Sequence, residues 1–274
     1  MPAHRSLGGG GGLEPAGQLD PRFLATAVEA VIRAGELQMA KFGTGVRVDK
    51  KGAIDLVTEV DVEVERMFRA MVAERFPEHD VLAEEFDTTP TGASHRWVFD
   101  PLDGTTNFAH GVPIFCASLA LEIDGQAVIG AVYDPNREEL FTAEAGEGAR
   151  LNGRRLQVSA NATVLDAMIV TGFPYHVQQD PDELVRVFGQ VLRRARAVRR
   201  LGSAAIDLCW VAAGRMEGFW EASLKPWDTR AAALILEEAG GRVTAMNGGP
   251  WDPYAGDILG TNGVIHDEVL AILR

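Results

Sequence analysis

Two aspartates stand three residues apart in the stretch Trp97-Val98-Phe99-Asp100-Pro101-Leu102-Asp103-Gly104-Thr105-Thr106-Asn107-Phe108, at the end of an apolar run. Pro101 fixes φ between them, so both carboxylates can project from one rigid bend. Gly104 lets the backbone turn closely, and Thr105, Thr106 and Asn107 are good helix-start residues. A helix start offers unpaired amides and a positive dipole end, which suits a phosphate. Taken singly, Asp-Pro and Asp-Gly make ordinary surface turns. Together they place hard oxygen ligands for a cation beside amides for an anion.

Other acids can complete such a site. Glu84 and Glu85 follow Val81-Leu82, a second buried-strand ending. Asp61 lies at a helix start after Thr58-Glu59-Val60, and Asp228 opens a helix directly after Pro226-Trp227. Both can serve as helix N-caps, and that role is compatible with a ligand role, because a helix start is where an acid meets open space. Carboxylates without a His or Cys cluster point to Mg²⁺ rather than zinc or copper. Four carboxylates carry about −4; two Mg²⁺ restore about +4, and helix-start amides then favour an anion. Such a paired site suits in-line attack by water, with Asp100 and Asp103 used as ligands rather than as a nucleophile.

The surrounding pattern supplies elements to hold these residues. Asp20-Pro21 starts a helix over 20–42, and a second runs from about 61 to 76. Strands are expected at 97–99, 115–123, 127–133, 139–143 and 167–171, with tight turns at Asp124-Gly125 and Asn152-Gly153. Helices at 183–194, 203–213, 228–239 and 265–273 then alternate with strands at 217–221, 242–246 and 257–260. The mixture predicts layered α+β in the first half and α/β in the second. Residues 1–19, with Gly8 to Gly12, are expected to be a flexible tail. The rest, 20–274, reads as a single domain with halves near 20–150 and 151–274.

Composition narrows the partners. The chain has 274 residues and a net charge of −13, from 39 acidic and 26 basic side chains. That balance argues against nucleic acid, which needs clustered Lys and Arg. No apolar run approaches a membrane span, and no signal-peptide core follows the N-terminus. Cys116 and Cys209 form neither a disulfide framework nor a zinc pattern, and a cytoplasmic protein is expected.

The segment Asp100–Phe108, with Trp227-Asp228 and Leu234–Gly241, resembles the two signature segments of inositol monophosphatases. The likeness runs from about Asp20 to the C-terminus and includes Asp55–Asp61, Ala83-Glu84-Glu85, Glu139–Ala143 and Gly202–Ala205. It implies an αβαβα layered sandwich of the sugar-phosphatase type. It further implies a Mg²⁺-dependent, lithium-sensitive phosphomonoesterase, a homodimer with two or three ions per site. The implied substrate is a small phosphorylated polyol, inositol 1-phosphate first. Histidinol-phosphate phosphatase, fructose-1,6-bisphosphatase and nucleotide 3′-phosphatase use the same machinery. A regulatory binding protein on this fold is the alternative of a different class.

Carried over residue by residue, the resemblance makes Glu84, Asp100, Asp103 and Asp228 side-chain ligands of Mg²⁺, joined by the Leu102 carbonyl. Thr105 and Asp61 would pair beside the nucleophilic water, which Glu84 holds through a metal. The amides of Gly104 and Thr105 would receive the phosphate, bordered by Asp103 and Asp228. Ala204 and Glu221 would touch the polyol, and Lys50 would lie near the site. Arg230 departs from the pattern, which has a small residue there, and is expected to face solvent. His110 and His176 are expected to be ordinary surface or core residues, and Trp210, Trp220 and Trp227 to pack the core. The basic run Arg193 to Arg200 is expected to be a solvated helix end and strand edge.

Overall fold

The computed structural model describes residues 19–52, 56–86 and 89–274. The expected tail, apart from Leu19, lies outside the described residues, as does Asp55. Helix α1 (Pro21–Lys41) starts where Asp20 accepts a hydrogen bond from the Arg22 amide at 2.9 Å. Strands β1 (Val48–Lys50) and β2 (Leu56–Thr58) pair antiparallel and lead into α2 (Glu59–Arg75). Next come β3 (Asp80–Ala83), β4 (His95–Asp103), the short helix α3 (Thr105–Ala109), β5 (Cys116–Ile123) and β6 (Gln126–Asp134). Strands β7 (Glu139–Glu144), β8 (Gly148–Leu151) and β9 (Arg154–Arg155) complete a seven-stranded sheet in sequential order. Asp124 and Gly125 both take positive φ, the geometry of the two-residue hairpin that the sequence predicts between β5 and β6.

The second half contains β10 (Met168–Thr171), α4 (Asp182–Leu192), β11 (Ala197–Arg199), α5 (Ala204–Ala212) and β12 (Gly218–Glu221). Helix α6 (Pro226–Glu238), β13 (Arg242–Thr244), β14 (Ile258–Thr261) and α7 (His266–Leu273) follow. The five-stranded sheet has the order β11-β10-β12-β14-β13. Among the described residues only β10 has parallel neighbours on both sides; β14 runs antiparallel to β12 and β13. The expected α/β half is therefore a mixed sheet, because a direct return from β13 to β14 needs no crossover helix.

Three apolar cores stack these elements into layers. Helices α1 and α2 cover one face of the seven-stranded sheet, with Phe23, Val31, Phe68, Trp97, Phe99 and Leu119 between them. Helices α5 and α6 fill the space between that sheet's other face and the five-stranded sheet, around Val98, Ala120, Ile206, Leu208 and Ile235. Helices α4 and α7 close the outer side over Ile169, Trp220 and Val269. The result is the αβαβα sandwich. Along β4, Trp97 and Phe99 point to the first core and Val98 to the second, as pleating requires. Phe99 is fully buried, and truncating it to Ala would cost about 3–5 kcal/mol. Gly130 lets β6 approach α6 closely: a Cβ there would lie 2.7 Å from the Ala231 carbonyl oxygen. Among the described residues no helix is long and apolar enough to cross a membrane.

Candidate active site

The ends of β3, β4, β10 and β12 meet the starts of α3, α5 and α6 around one cavity of about 470 Å³. Glu84, Asp100, Leu102, Asp103, Gly104, Thr105, Ala204, Glu221 and Asp228 all line it. Asp61 stands just behind Thr105. Residues expected to converge from across the sequence do so.

The β4 end is shaped by an irregularity. Asp100 pairs with Ser118 and Asp103 with Cys116, and the register shifts between them. Pro101 and Leu102 stand opposite the single residue Ala117, so β4 carries one extra residue there, a bulge that bends the strand end and brings both carboxylates to the cavity. Asp100 Oδ1 accepts from the Leu102 amide at 2.9 Å. Asp103 Oδ2 accepts from the Ser203 hydroxyl at 2.6 Å and the Ala205 amide at 2.8 Å, and its Oδ1 from the Ala204 amide at 3.3 Å. Asp103 thus sits on the N-terminus of α5, joining the two halves of the chain. Gly104 follows with φ of 98°, and a Cβ there would lie 2.8 Å from the Ile114 carbonyl oxygen, so no other residue fits.

Thr105 Oγ1 lies 3.2 Å from Asp61 Oδ1 and 3.0 Å from the Leu102 carbonyl oxygen. Asp61 is fully buried, and its Oδ2 accepts from the Thr58 amide at 2.9 Å and the Thr58 hydroxyl at 2.5 Å. It caps α2 with one oxygen and orients Thr105 with the other. Asp228 also caps: its Oδ2 accepts from the Lys225 amide at 2.7 Å in the first turn of α6.

Lysine 51, not Lys50, enters the site. Its ammonium lies 2.9 Å from Glu84 and 2.7 Å from Glu85, while Lys50 is exposed on β1. Lys51 is the first residue past the end of β1, where the chain bends toward Glu84 and Glu85. Burial works against the Lys51 charge, but Glu84 and Glu85 more than offset it and raise its pKa. Glu65 fixes the loop after β3 by accepting from the amides of Glu85 at 2.7 Å and Phe86 at 3.2 Å.

Burial raises every one of the lining acids. Glu84 is pushed up to about 7, against the pull of Lys51. Asp100 is driven well above the usual carboxylate range by burial and then by the charges of Glu84, Asp103 and Asp228. Asp228 rises through burial, with Glu84, Asp103 and Glu221 adding to it despite the Lys225 amide. Asp103 rises through burial, tempered by Ser203 and the α5 amides. Glu221 is pushed up to about 8 by burial. Four carboxylates in one another's field form a site that a cation would stabilise.

The donor set fits Mg²⁺ in kind: carboxylates and one carbonyl, with Asp100 Oδ2, Asp228 Oδ1 and Glu84 Oε2 free of protein hydrogen bonds among the described residues. Among those residues no three His, Cys, Asp or Glu side chains stand at the spacing that would hold an ion.

A model of the inositol monophosphatase family matches residues 20–274. The chain belongs to that family. It is 43% identical over 249 residues to an inositol-1-monophosphatase of Synechocystis, a match covering 90% of this chain and 87% of that one. It is 39% identical over 255 residues to the Nus factor SuhB of Escherichia coli K12, covering 92% and 96%. The crystal structure of suhB from Bartonella henselae superposes with a TM-score of 0.88 at 37% identity, covering 92% and 98%. An IMPase/NADP phosphatase solved with Mg²⁺ and phosphate gives 0.78 at 28% identity, covering 89% and 91%. This inositol monophosphatase family member is a phosphatase, and the family is Mg²⁺-dependent.

Several expectations outside the cavity change or hold. Arg230 is not in solvent. Its Nε lies 2.7 Å from Glu122, its Nη2 donates to the Gly125 carbonyl at 2.6 Å, and it stacks over Trp251. A buried acid within reach outweighed hydration. His110 and His176 are exposed and outside the cavity lining. Trp220 is buried, whereas Trp210 and Trp227 are partly buried and Trp227 borders the cavity. Most of the basic run is solvated, but Arg200 lines the cavity.

The sequence reading missed Lys51, Gly172, Arg200 and Asp207 in the lining, and gave no role to Ser203. Asp207 had a signal: it is the lone acid in the otherwise apolar α5. Ser203 had one too, standing just before a helix.

Proposed function

We propose that this enzyme hydrolyses the phosphate monoester of a small neutral polyol, inositol 1-phosphate first among candidates, by direct attack of water. The observation that carries the reading is the convergence on one cavity of Glu84, Asp100, Asp103 and Asp228 with the Thr105–Asp61 pair, opposite a free Glu221. Glu84, Asp100, the Leu102 carbonyl, Asp103 and Asp228 would hold two or three Mg²⁺. When bound, these ions polarise the phosphate and lower the pKa of the attacking water.

The chain's own groups do the rest. Asp61, fixed by Thr58, accepts the Thr105 hydroxyl proton at Oδ1 as Thr105 Oγ1 takes a proton from the attacking water, so the Asp61 carboxylate is the final acceptor. The amides of Gly104 and Thr105 start α3 and are placed to receive phosphate oxygens. Ser203 and the α5 amides lock Asp103 so that it keeps one orientation through turnover. Glu221 hydrogen-bonds polyol hydroxyls, and when ionised it would repel a second phosphate beside it, which disfavours bisphosphate substrates.

The same reading includes lithium inhibition, a homodimer and a cytoplasmic location; its support is the family membership and two free buried cysteines. Phosphate release from a panel of inositol 1-phosphate, histidinol phosphate, fructose 1,6-bisphosphate and a nucleoside 3′-phosphate tests it, with Mg²⁺ and with chelator. Highest kcat/KM on inositol 1-phosphate, lost with chelator, is expected. Release unaffected by chelator would refute the metal assignment.

The 39% identity to a protein named Nus factor SuhB favours a second reading, in which the protein also has a regulatory role through a protein or RNA partner. Partner association retained in an inactive Asp103→Asn variant would support it.

A further inference from the structure

Glu221 ends β12, only 9% exposed, and its carboxylate has no protein hydrogen bond among the described residues. It rests against Gly172, the residue after β10, whose Thr171 pairs with Trp220 beside it. A Cβ built on Gly172 would fall well inside the van der Waals envelope of the Glu221 carboxyl carbon and both its oxygens. The backbone at Gly172 does not take positive φ, so its conformation is open to any residue. A side chain at 172 would meet the far end of the Glu221 side chain rather than backbone, so Glu221 is what must move. Asp207, 1% exposed with Oδ1 unpartnered, lines the same cavity, and its field opposes that of Glu221. Glu221 cannot retreat toward α5 without approaching a second acid. Arg200 lines the same cavity and attracts the Glu221 carboxylate, so a carboxylate displaced from Gly172 is drawn into the cavity.

We propose that Gly172 is a specificity-determining position: by lacking a side chain it lets the Glu221 carboxylate lie back against the end of β10, clear of the polyol ring yet open to its hydroxyls. The inference rests on the reading of Glu221 as the hydroxyl acceptor. A side chain at 172 drives that carboxylate into the space of the polyol. An ester with a small or flat leaving group makes less use of that wall and is affected less.

The test is Gly172→Ala, assayed with Mg²⁺ on inositol 1-phosphate and on p-nitrophenyl phosphate. KM for inositol 1-phosphate is expected to rise about tenfold or more, kcat far less, and the selectivity between the two esters to fall by a similar factor. Glu221→Asp is one methylene shorter. In the Gly172→Ala background it should recover much of the KM, although alone it raises KM. Equal changes on both esters, or no recovery in the double variant, would overturn the proposal and leave the hydrolase reading standing. If Gly172→Ala melts below assay temperature, the double variant's melting temperature decides: a return toward the parent places the clash on Glu221, and no return refutes it. A parent enzyme that releases no phosphate from any polyol ester removes the hydrolase reading, and this proposal with it.

Discussion

Ser203 donates its hydroxyl to Asp103 across 2.6 Å, joining residues a hundred positions apart. One belongs to the start of a helix between the two sheets, the other to the irregular end of the strand that carries the acids. With the Ala205 amide, this bond fixes which Asp103 oxygens face the cavity. Ser203→Ala leaves the amides but frees the rotamer. Stability should fall by about 1 kcal/mol, and kcat about tenfold, with Mg²⁺ affinity weakened. Denaturant melts and Mg²⁺-titrated rates check both; unchanged Mg²⁺ dependence would show that the amides alone suffice.

Thr105 and Asp61 act as a unit, so their effects should not add. Thr105→Ala is expected to lower kcat by about 10²-fold or more with KM little changed. Asp61→Asn should match it. It also weakens the α2 cap at Thr58, so it alone should lower stability, by about 1 kcal/mol. The double variant should be no slower than either single one. Multiplying losses would mean the two residues contribute separately.

Much of this was legible in the sequence because local rules and global packing agreed. The apolar, β-rich runs 115–123 and 127–133, with Asp124-Gly125 between, gave the hairpin β5–β6 and its turn. The acids at strand ends and helix starts lie where they were expected because those positions open onto the cavity. What was not legible depends on partners distant in the chain. Lys51 over Lys50 is decided by the bend that follows a short strand, and the contact that a side chain at Gly172 would make is set by Glu221, 49 positions on. Arg230 looked like a surface cation because nothing near it in sequence reveals the buried Glu122.

Arg230 therefore makes a prediction about stability rather than catalysis. Its guanidinium and Glu122 are 11% and 2% exposed, and Tyr254 donates to the other Glu122 oxygen at 2.9 Å. Arg230→Ala leaves an acid buried with one partner, at a cost of about 2–4 kcal/mol. Arg230 does not line the cavity, so KM should be unchanged. Chemical denaturation beside steady-state kinetics separates the two: an altered KM at parental stability would place Arg230 in the substrate's reach.

The raised acids couple stability to pH in a definite direction. Glu84 and Glu85 reach about 7 and Glu221 about 8, each chiefly through burial, from an ordinary value of 4.5. Asp100, Asp103, Asp207 and Asp228 are shifted the same way. Between the ordinary and the raised values the folded chain holds more protons than the unfolded one, so stability falls as pH rises. The contribution is full below the unfolded pKa and lost by about pH 8. In chelator, the melting temperature should drop steadily from about pH 5 to about pH 8. Added Mg²⁺ binds the deprotonated acids and should raise it most at the alkaline end. A chelated protein whose melting temperature climbs over this range would show that the acids are not held above their ordinary values, and a Mg²⁺ effect independent of pH would show that they are not the ligands.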